Sequence, residues 1–99
     1  MSFVTTQPET LSAAAGDLQG IGADVAAGNA AAASPTTAVI PAAADEVSAL
    51  TAAQFTAQAQ LYQAVSAQAA AIHDTFVSTL GTSAVSYLAT EAANAAAAG

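Results

Sequence analysis

The abundance of alanine constrains the fold of this chain more than any other feature of its sequence. Hydrophobic residues make up 55% of the 99 residues, but most of them are alanine, and aromatic residues reach only 5%. Alanine is the strongest helix former and contributes little apolar burial. A chain of this length and composition is therefore expected to form helices readily, as one small domain with a thin core.

The charge of the chain is entirely one-sided. The chain has seven carboxylates, one His and no Lys or Arg, which gives a formal net charge of -7. Binding of nucleic acids and phosphates depends on basic side chains, so the composition argues against both functions. The chain also lacks cysteine, which excludes disulfides and thiolate metal sites.

The periodicity of the larger apolar residues predicts a first helix. Leu11, Leu18 and Val25 recur at seven-residue intervals, as expected of a helix that packs along one face. We expect this helix over about residues 7–33, because Pro35 disfavours helical geometry in the residue before it. Thr6 with Glu9 three residues later fits a capping box at its start.

A second, longer helix is predicted after a proline-flanked connector at 34–41. It should span about residues 42–80, with Asp45 or a neighbour as the cap. Gly81 is expected to end it as the C′ residue, and residues 82–99 should form a short third helix or an unsettled tail. The sequence pattern predicts no strand.

Two antiparallel helices joined by a short connector form a hairpin, and its apolar stripe is broader than one hairpin can cover. On the second helix three aromatic side chains lie to one side of three aliphatic ones. The two groups are Phe55, Tyr62 and Phe76, and Leu50, Leu61 and Ile72. If one group packs on the first helix, the other faces outward, where a second hairpin would complete a four-helix bundle.

The apolar periodicity of both helices thus predicts a partner interface. Its candidate residues are Leu11, Leu18, Ile21, Val25, Leu50, Phe55, Leu61, Tyr62, Val65, Ile72 and Phe76. Asp17 and Asp24 flank the first helix's apolar positions, where charges select partners, so a partner could supply Lys or Arg there. The other interpretation is a solvated acidic face.

Enzymatic and metal-dependent functions receive no support from the sequence. His73 has no second ligand at suitable spacing, because Asp74 lies about 100° away around a helix, so we expect an interface or surface histidine and no metal or cofactor. Asp45 and Glu46 are adjacent and cannot face each other across a cleft. We expect no enzyme and, because polar residues and prolines interrupt the uncharged stretches, no transmembrane segment.

An ordered set of short motifs carries a family resemblance. The motifs are Met1-Ser2-Phe3-Val4, Pro8-Glu9, Pro35-Thr36-Thr37-Ala38-Val39, Pro41-Ala42-Ala43-Ala44-Asp45-Glu46-Val47-Ser48 and Tyr87-Leu88-Ala89-Thr90-Glu91. Together they make the chain resemble the PE family of mycobacterial proteins, which is named for the Pro-Glu dipeptide. The resemblance covers essentially the whole chain.

The resemblance implies a fold and a function. It implies an all-α antiparallel hairpin that forms half of a heterodimeric four-helix bundle with a PPE-family protein. It further implies a Tyr-x-x-x-Asp/Glu secretion signal at Tyr87 and Glu91, a chaperone that binds the PPE subunit, and export of the folded pair by type VII secretion machinery. Such a subunit is non-enzymatic, is cytoplasmic before export, and is then secreted or held at the cell surface.

Two alternatives to the heterodimer stay open at this point. Two copies could form a homodimeric bundle that acts as a scaffold or adaptor, although like charges of -7 per chain would repel. The apolar stripe could also touch lipid at an outer surface, although the lack of basic residues argues against anionic membranes.

Overall fold

The computed structural model describes residues 4–99, and within this range it contains two helices and no strand. Helix α1 spans Pro8–Thr37, and helix α2 spans Glu46–Ala98. The predicted all-α hairpin is therefore confirmed. The 53 residues of α2 correspond to a length of about 80 Å at the usual helical rise. Met1, Ser2 and Phe3 of the first sequence motif lie outside the described residues.

Helix α1 ends four residues later than predicted and includes Pro35. The proline lies in the last turn, where it removes a single backbone donor and no long helix has to follow it. Two threonine hydroxyls also satisfy carbonyls of this turn, because Thr36 donates to Ala32 O and Thr37 to Ala33 O, each at 2.6 Å.

Helix α2 begins at Glu46, four residues later than the predicted start at residue 42 and directly after Asp45, the predicted cap. The Asp45 Oδ1 accepts a hydrogen bond from the Ser48 N–H at 2.8 Å, and its Oδ2 accepts one from the Ser48 hydroxyl at 3.0 Å. Both bonds stabilise the carboxylate and lower the pKa of Asp45 below its ordinary value. Asp45 is therefore the residue that starts the helix.

The predicted end of the second helix at Gly81 is wrong, because α2 continues without interruption to Ala98. No glycine described in the structure has a positive φ, so Gly81 adopts ordinary helical geometry rather than that of a C′ residue. A glycine inside a helix costs about 1 kcal/mol relative to alanine. The alanine-rich segment beyond Gly81, together with the burial of Ala84, outweighs that cost.

The chain divides into two compact units, and each pairs part of α1 with part of α2. One unit contains the described residues up to Ile21 together with His73–Gly99, and the other contains Gly22–Ile72. The first unit holds a hydrogen bond between His73 Nε2 and Leu18 O at 2.7 Å. The second holds hydrogen bonds from Tyr62 and Gln63 to the same residue of α1.

Alanine forms the buried apolar core. Among the residues described, the buried hydrophobic side chains are those of Ala15, Ala52 and Ala84, with exposed fractions of 8%, 6% and 1%. Small side chains allow two helix axes to approach closely. The thin core that the composition predicts is confirmed, and the large apolar side chains described in the structure are half-buried or exposed.

Candidate partner interface and signal segment

Large apolar side chains form an exposed line along α2. This outer stripe consists of Leu50, Leu61, Val65, Ile72 and Phe76, whose exposed fractions lie between 53% and 71%. Leu50, Leu61 and Ile72 follow one another at eleven-residue intervals, as do Val65 and Phe76. Eleven residues are close to three full helical turns, so these side chains stay on one side of the helix along its length.

A different set of α2 residues is shielded from solvent. This inner seam consists of Ala52, Ala59, Ser66 and His73, at seven-residue intervals, with Gln63 beside it. Ala52 is buried and the other four are half-buried. His73 and Gln63 both bond to backbone carbonyls of α1, which shows that this side of α2 faces the first helix.

The expectation that one of the two large-residue groups packs on α1 is wrong. The aliphatic group is exposed, and so are Phe55 and Tyr62 of the aromatic group, at 63% and 55%. Small and polar side chains of the inner seam occupy the face toward α1, and the aromatic group flanks that face, where the Tyr62 hydroxyl bonds to Asn29 of α1. The hairpin therefore leaves more apolar surface uncovered than the sequence predicts.

The apolar pattern of α1 holds for only part of its length. Leu11 and Leu18 are half-buried, as a helix–helix contact requires, whereas Ile21 and Val25 are exposed by 54% and 55%. Ile21 and Val25 thus add to the exposed apolar surface.

Asn29 provides a polar contact that the sequence reasoning missed. Its Oδ1 accepts a hydrogen bond from the Tyr62 hydroxyl at 2.7 Å, and its backbone carbonyl accepts one from Gln63 Nε2 at 3.0 Å. A single asparagine within an alanine-rich helix is the signal that could have revealed it, because such residues often fix the register of paired helices.

His73 is half-buried and bonds to the Leu18 carbonyl, so it lies between the two helices of the hairpin. The described residues contain no group of three or more His, Cys, Asp or Glu side chains that could hold a metal ion. No helix within residues 4–99 combines the length and hydropathy needed to cross a membrane. Asp17 and Asp24 are exposed on α1.

The signal segment lies on the helical extension of α2 beyond Gly81. Tyr87 is 47% exposed, and Glu91, one turn further along the helix, is half-buried. Glu91 Oε1 accepts hydrogen bonds from the Thr6 N–H at 3.0 Å and from the Thr6 hydroxyl at 2.9 Å. Thr6 thus binds Glu91, and because α1 begins at Pro8, Gln7 rather than Thr6 directly precedes the helix, so the predicted capping box of Thr6 and Glu9 is wrong. The Gln7 carbonyl accepts the N–H groups of Thr10 and Leu11.

The fold defines an all-α helical-hairpin protein with an uncovered apolar stripe, and comparison with known proteins identifies its family. The chain belongs to the PE family, whose family model matches residues 4–94. It is 69% identical to the PE family protein PE13 of Mycobacterium tuberculosis over 98 residues, which cover 99% of both chains. The family resemblance inferred from the sequence is confirmed.

Longer proteins carry the same region. The chain is 62% identical to the PE family protein PE8 of Mycobacterium tuberculosis, across 99% of this chain and 36% of that protein. It is 60% identical to the PE-PGRS family protein PE_PGRS33 of the same species, across 97% of this chain and 20% of that protein. The chain thus spans nearly all of PE13 but only 36% of PE8 and 20% of PE_PGRS33.

Proposed function

We propose that this chain is a non-enzymatic subunit that pairs with a PPE-family protein through its outer stripe and is exported with it by type VII secretion machinery. The observation that carries this proposal is the exposure of the outer stripe. The hairpin buries alanine and leaves Leu50, Leu61 and Ile72 each at least 60% exposed. Contiguous apolar surface of this kind marks an interaction site.

Burial of the outer stripe against a partner has a lower free energy than its exposure to water. Full burial of one Leu or Phe side chain contributes roughly 1.5–3 kcal/mol, so covering even half of the outer stripe offers several kcal/mol. Because Leu50, Leu61 and Ile72 stay on one side of α2, a partner helix can follow this part of the stripe. A partner hairpin would complete a four-helix bundle, the arrangement that the sequence resemblance implies.

The net charge favours pairing with a different protein over pairing with a second copy of this chain. Each chain carries a net charge of -7 without any Lys or Arg, so two copies repel each other and offer no basic mates. A partner with Lys or Arg beside Asp17 and Asp24 would gain from both acids. Reversing both charges should then weaken the complex. An unchanged affinity would show that these aspartates only form a solvated acidic face.

Co-expression tests the pairing directly. The chain and a PPE-family protein should be recovered as a 1:1 soluble complex, measured by sedimentation equilibrium. A stable homodimer of the chain alone, indifferent to the PPE-family protein, would instead support the scaffold or adaptor function.

Export is assigned to Tyr87 and Glu91, on the strength of the family motif and of their positions one helical turn apart on α2. In this account a chaperone engages the PPE subunit in the cytoplasm, and the signal directs the folded pair to the cell surface or beyond. Tyr87→Ala and Glu91→Ala should each block export while the heterodimer still forms. Normal secretion of both variants would remove the assignment.

A further inference from the structure

The segment before α1 and the far end of α2 meet at one carboxylate oxygen. Thr6 and Glu91 are separated by 85 residues, yet both donors of Thr6 bond to Glu91 Oε1, at 3.0 Å from the N–H and 2.9 Å from the hydroxyl. Both bonds are partly buried. Since water competes less for partly buried groups, this contact is firmer than a surface hydrogen bond.

Thr6 is itself held in place by the start of α1. The Gln7 carbonyl accepts hydrogen bonds from the Thr10 and Leu11 N–H groups at 3.0 and 3.3 Å, and Pro8 is buried. The two donors of Thr6 therefore sit on a fixed piece of backbone rather than on a loose end. A carboxylate bound to them is fixed relative to both helices.

Two hydrogen bonds on a charged acceptor restrict a side chain that otherwise samples many conformations. Bonds to an ionised carboxylate are roughly twice as strong as neutral ones. An ordered carboxylate spares a receptor the entropic cost of ordering it on binding. Tyr87 remains 47% exposed beside it and available for contact.

We propose that Thr6 is a positioning residue for Glu91, so that the export signal is composed of two distant segments: the residues before α1 and the end of α2. This inference rests on the proposed function of Tyr87 and Glu91 in export. It adds that the signal is complete only when the end of the hairpin is folded, since Thr6 and Glu91 meet only there.

The test compares three variants of the full chain in a mycobacterial host with an active type VII system. Thr6→Val removes the hydroxyl at nearly constant shape, Thr6→Ser retains it, and Thr5→Val is a matched control at the exposed neighbouring threonine. Export is the fraction of untagged chain in the culture filtrate, measured by mass spectrometry. Complex formation is measured in the cell lysate by size-exclusion chromatography.

Thr6→Val should reduce export about tenfold, the effect of losing one hydrogen bond to a charged group. Thr6→Ser and Thr5→Val should remain near the wild-type level, and all three variants should form the complex.

Normal export of Thr6→Val alongside blocked export of Glu91→Ala would overturn this inference and leave the proposed signal intact. Loss of the complex in Thr6→Val, or failure of Thr6→Ser to restore export, would also overturn it, because Thr6 would then act on the fold. Normal export of Glu91→Ala would remove the signal itself and this inference with it.

Discussion

The two long faces of α2 are built from different side chains. On the inner seam, Ala52 is 6% exposed and polar side chains bond to α1, whereas on the outer stripe Leu61 and Ile72 are 60% and 71% exposed. The seam repeats every seven residues and the stripe every eleven. A single helix therefore carries two patterns: the inner seam faces α1, and the outer stripe is the surface proposed to bind a partner.

This difference separates the residues that set the geometry of the hairpin from the residues whose burial would stabilise it. Small side chains on the inner seam let the helices approach, and hydrogen bonds such as that between Asn29 and Tyr62 fix their register. Large side chains provide most of the stabilisation that burial can give, and five of them lie exposed on the stripe. In the function proposed above, the contacts within the hairpin fix its shape and a partner supplies most of its stability.

A charge on the outer stripe should have the largest effect. Leu61→Asp would bury an unpaired carboxylate in the complex, at a cost of several kcal/mol, so we expect pairing to fall by more than about a hundredfold. Gln60→Asp adds the same charge to the adjacent exposed position and should pair normally. Co-purification with the PPE-family protein measures both, and a folded Leu61→Asp chain that still pairs would contradict the role of the stripe.

A larger side chain in the buried alanine core should have the next largest effect. Ala84 is 1% exposed, so Ala84→Leu would force the helices apart and destabilise the complex by about 1–3 kcal/mol. Ala89→Leu makes the same change at an exposed position of α2 and should leave stability nearly unchanged. Urea denaturation of the complex distinguishes them, and equal stabilities would refute close packing at Ala84.

The contact between Tyr62 and Asn29 should contribute less, because it is exposed to water. Tyr62→Phe removes one neutral hydrogen bond and should lower the stability of the complex by about 0.5–1 kcal/mol. Tyr87→Phe removes a hydroxyl that has no role in joining the helices and is the control in the same unfolding experiment. An effect of Tyr87→Phe as large as that of Tyr62→Phe would argue against the register contact.

The cap at Asp45 should give the smallest effect, visible as a pH dependence. Hydrogen bonds from Ser48 lower the pKa of Asp45 in the folded chain, so its stabilisation is present above the unfolded-state pKa. That stabilisation is lost as the pH falls through the lowered folded-state pKa. Asp45→Asn keeps a good cap without a titrating group. The gap in melting temperature between the complexes that the wild type and Asp45→Asn form with the PPE-family protein should therefore shift in favour of Asp45→Asn on acidification, and a constant gap would contradict this function of the carboxylate.

The sequence predicts the elements of this fold better than their ends and contacts. Alanine content and apolar spacing indicate the two helices, and Asp45 is recognisable as a cap. The end of α2 is missed because Gly81 is a strong local stop signal, which the helix propensity and packing of the following segment overcome. A local sequence pattern does not show whether the stabilisation from the following segment exceeds the cost of the glycine.

The candidate sites show the same limit. The eleven-residue spacing of Leu50, Leu61 and Ile72 can be read from the sequence. The face of α2 that packs against α1 depends on how closely the two helices approach, which the sequence does not show. Thr6 could not be linked to Glu91 from spacing, since 85 residues separate them and Thr6 also fits a local cap. Only the pairing of the chain ends in three dimensions brings them together.

The central claim is that the outer stripe needs a partner, and thermal unfolding of the isolated chain at high dilution tests it most directly. With alanine as its buried core, the chain alone should melt gradually, without a cooperative transition, and the PPE-family protein should restore one. A compact monomer that melts cooperatively on its own at the same dilution would contradict the account.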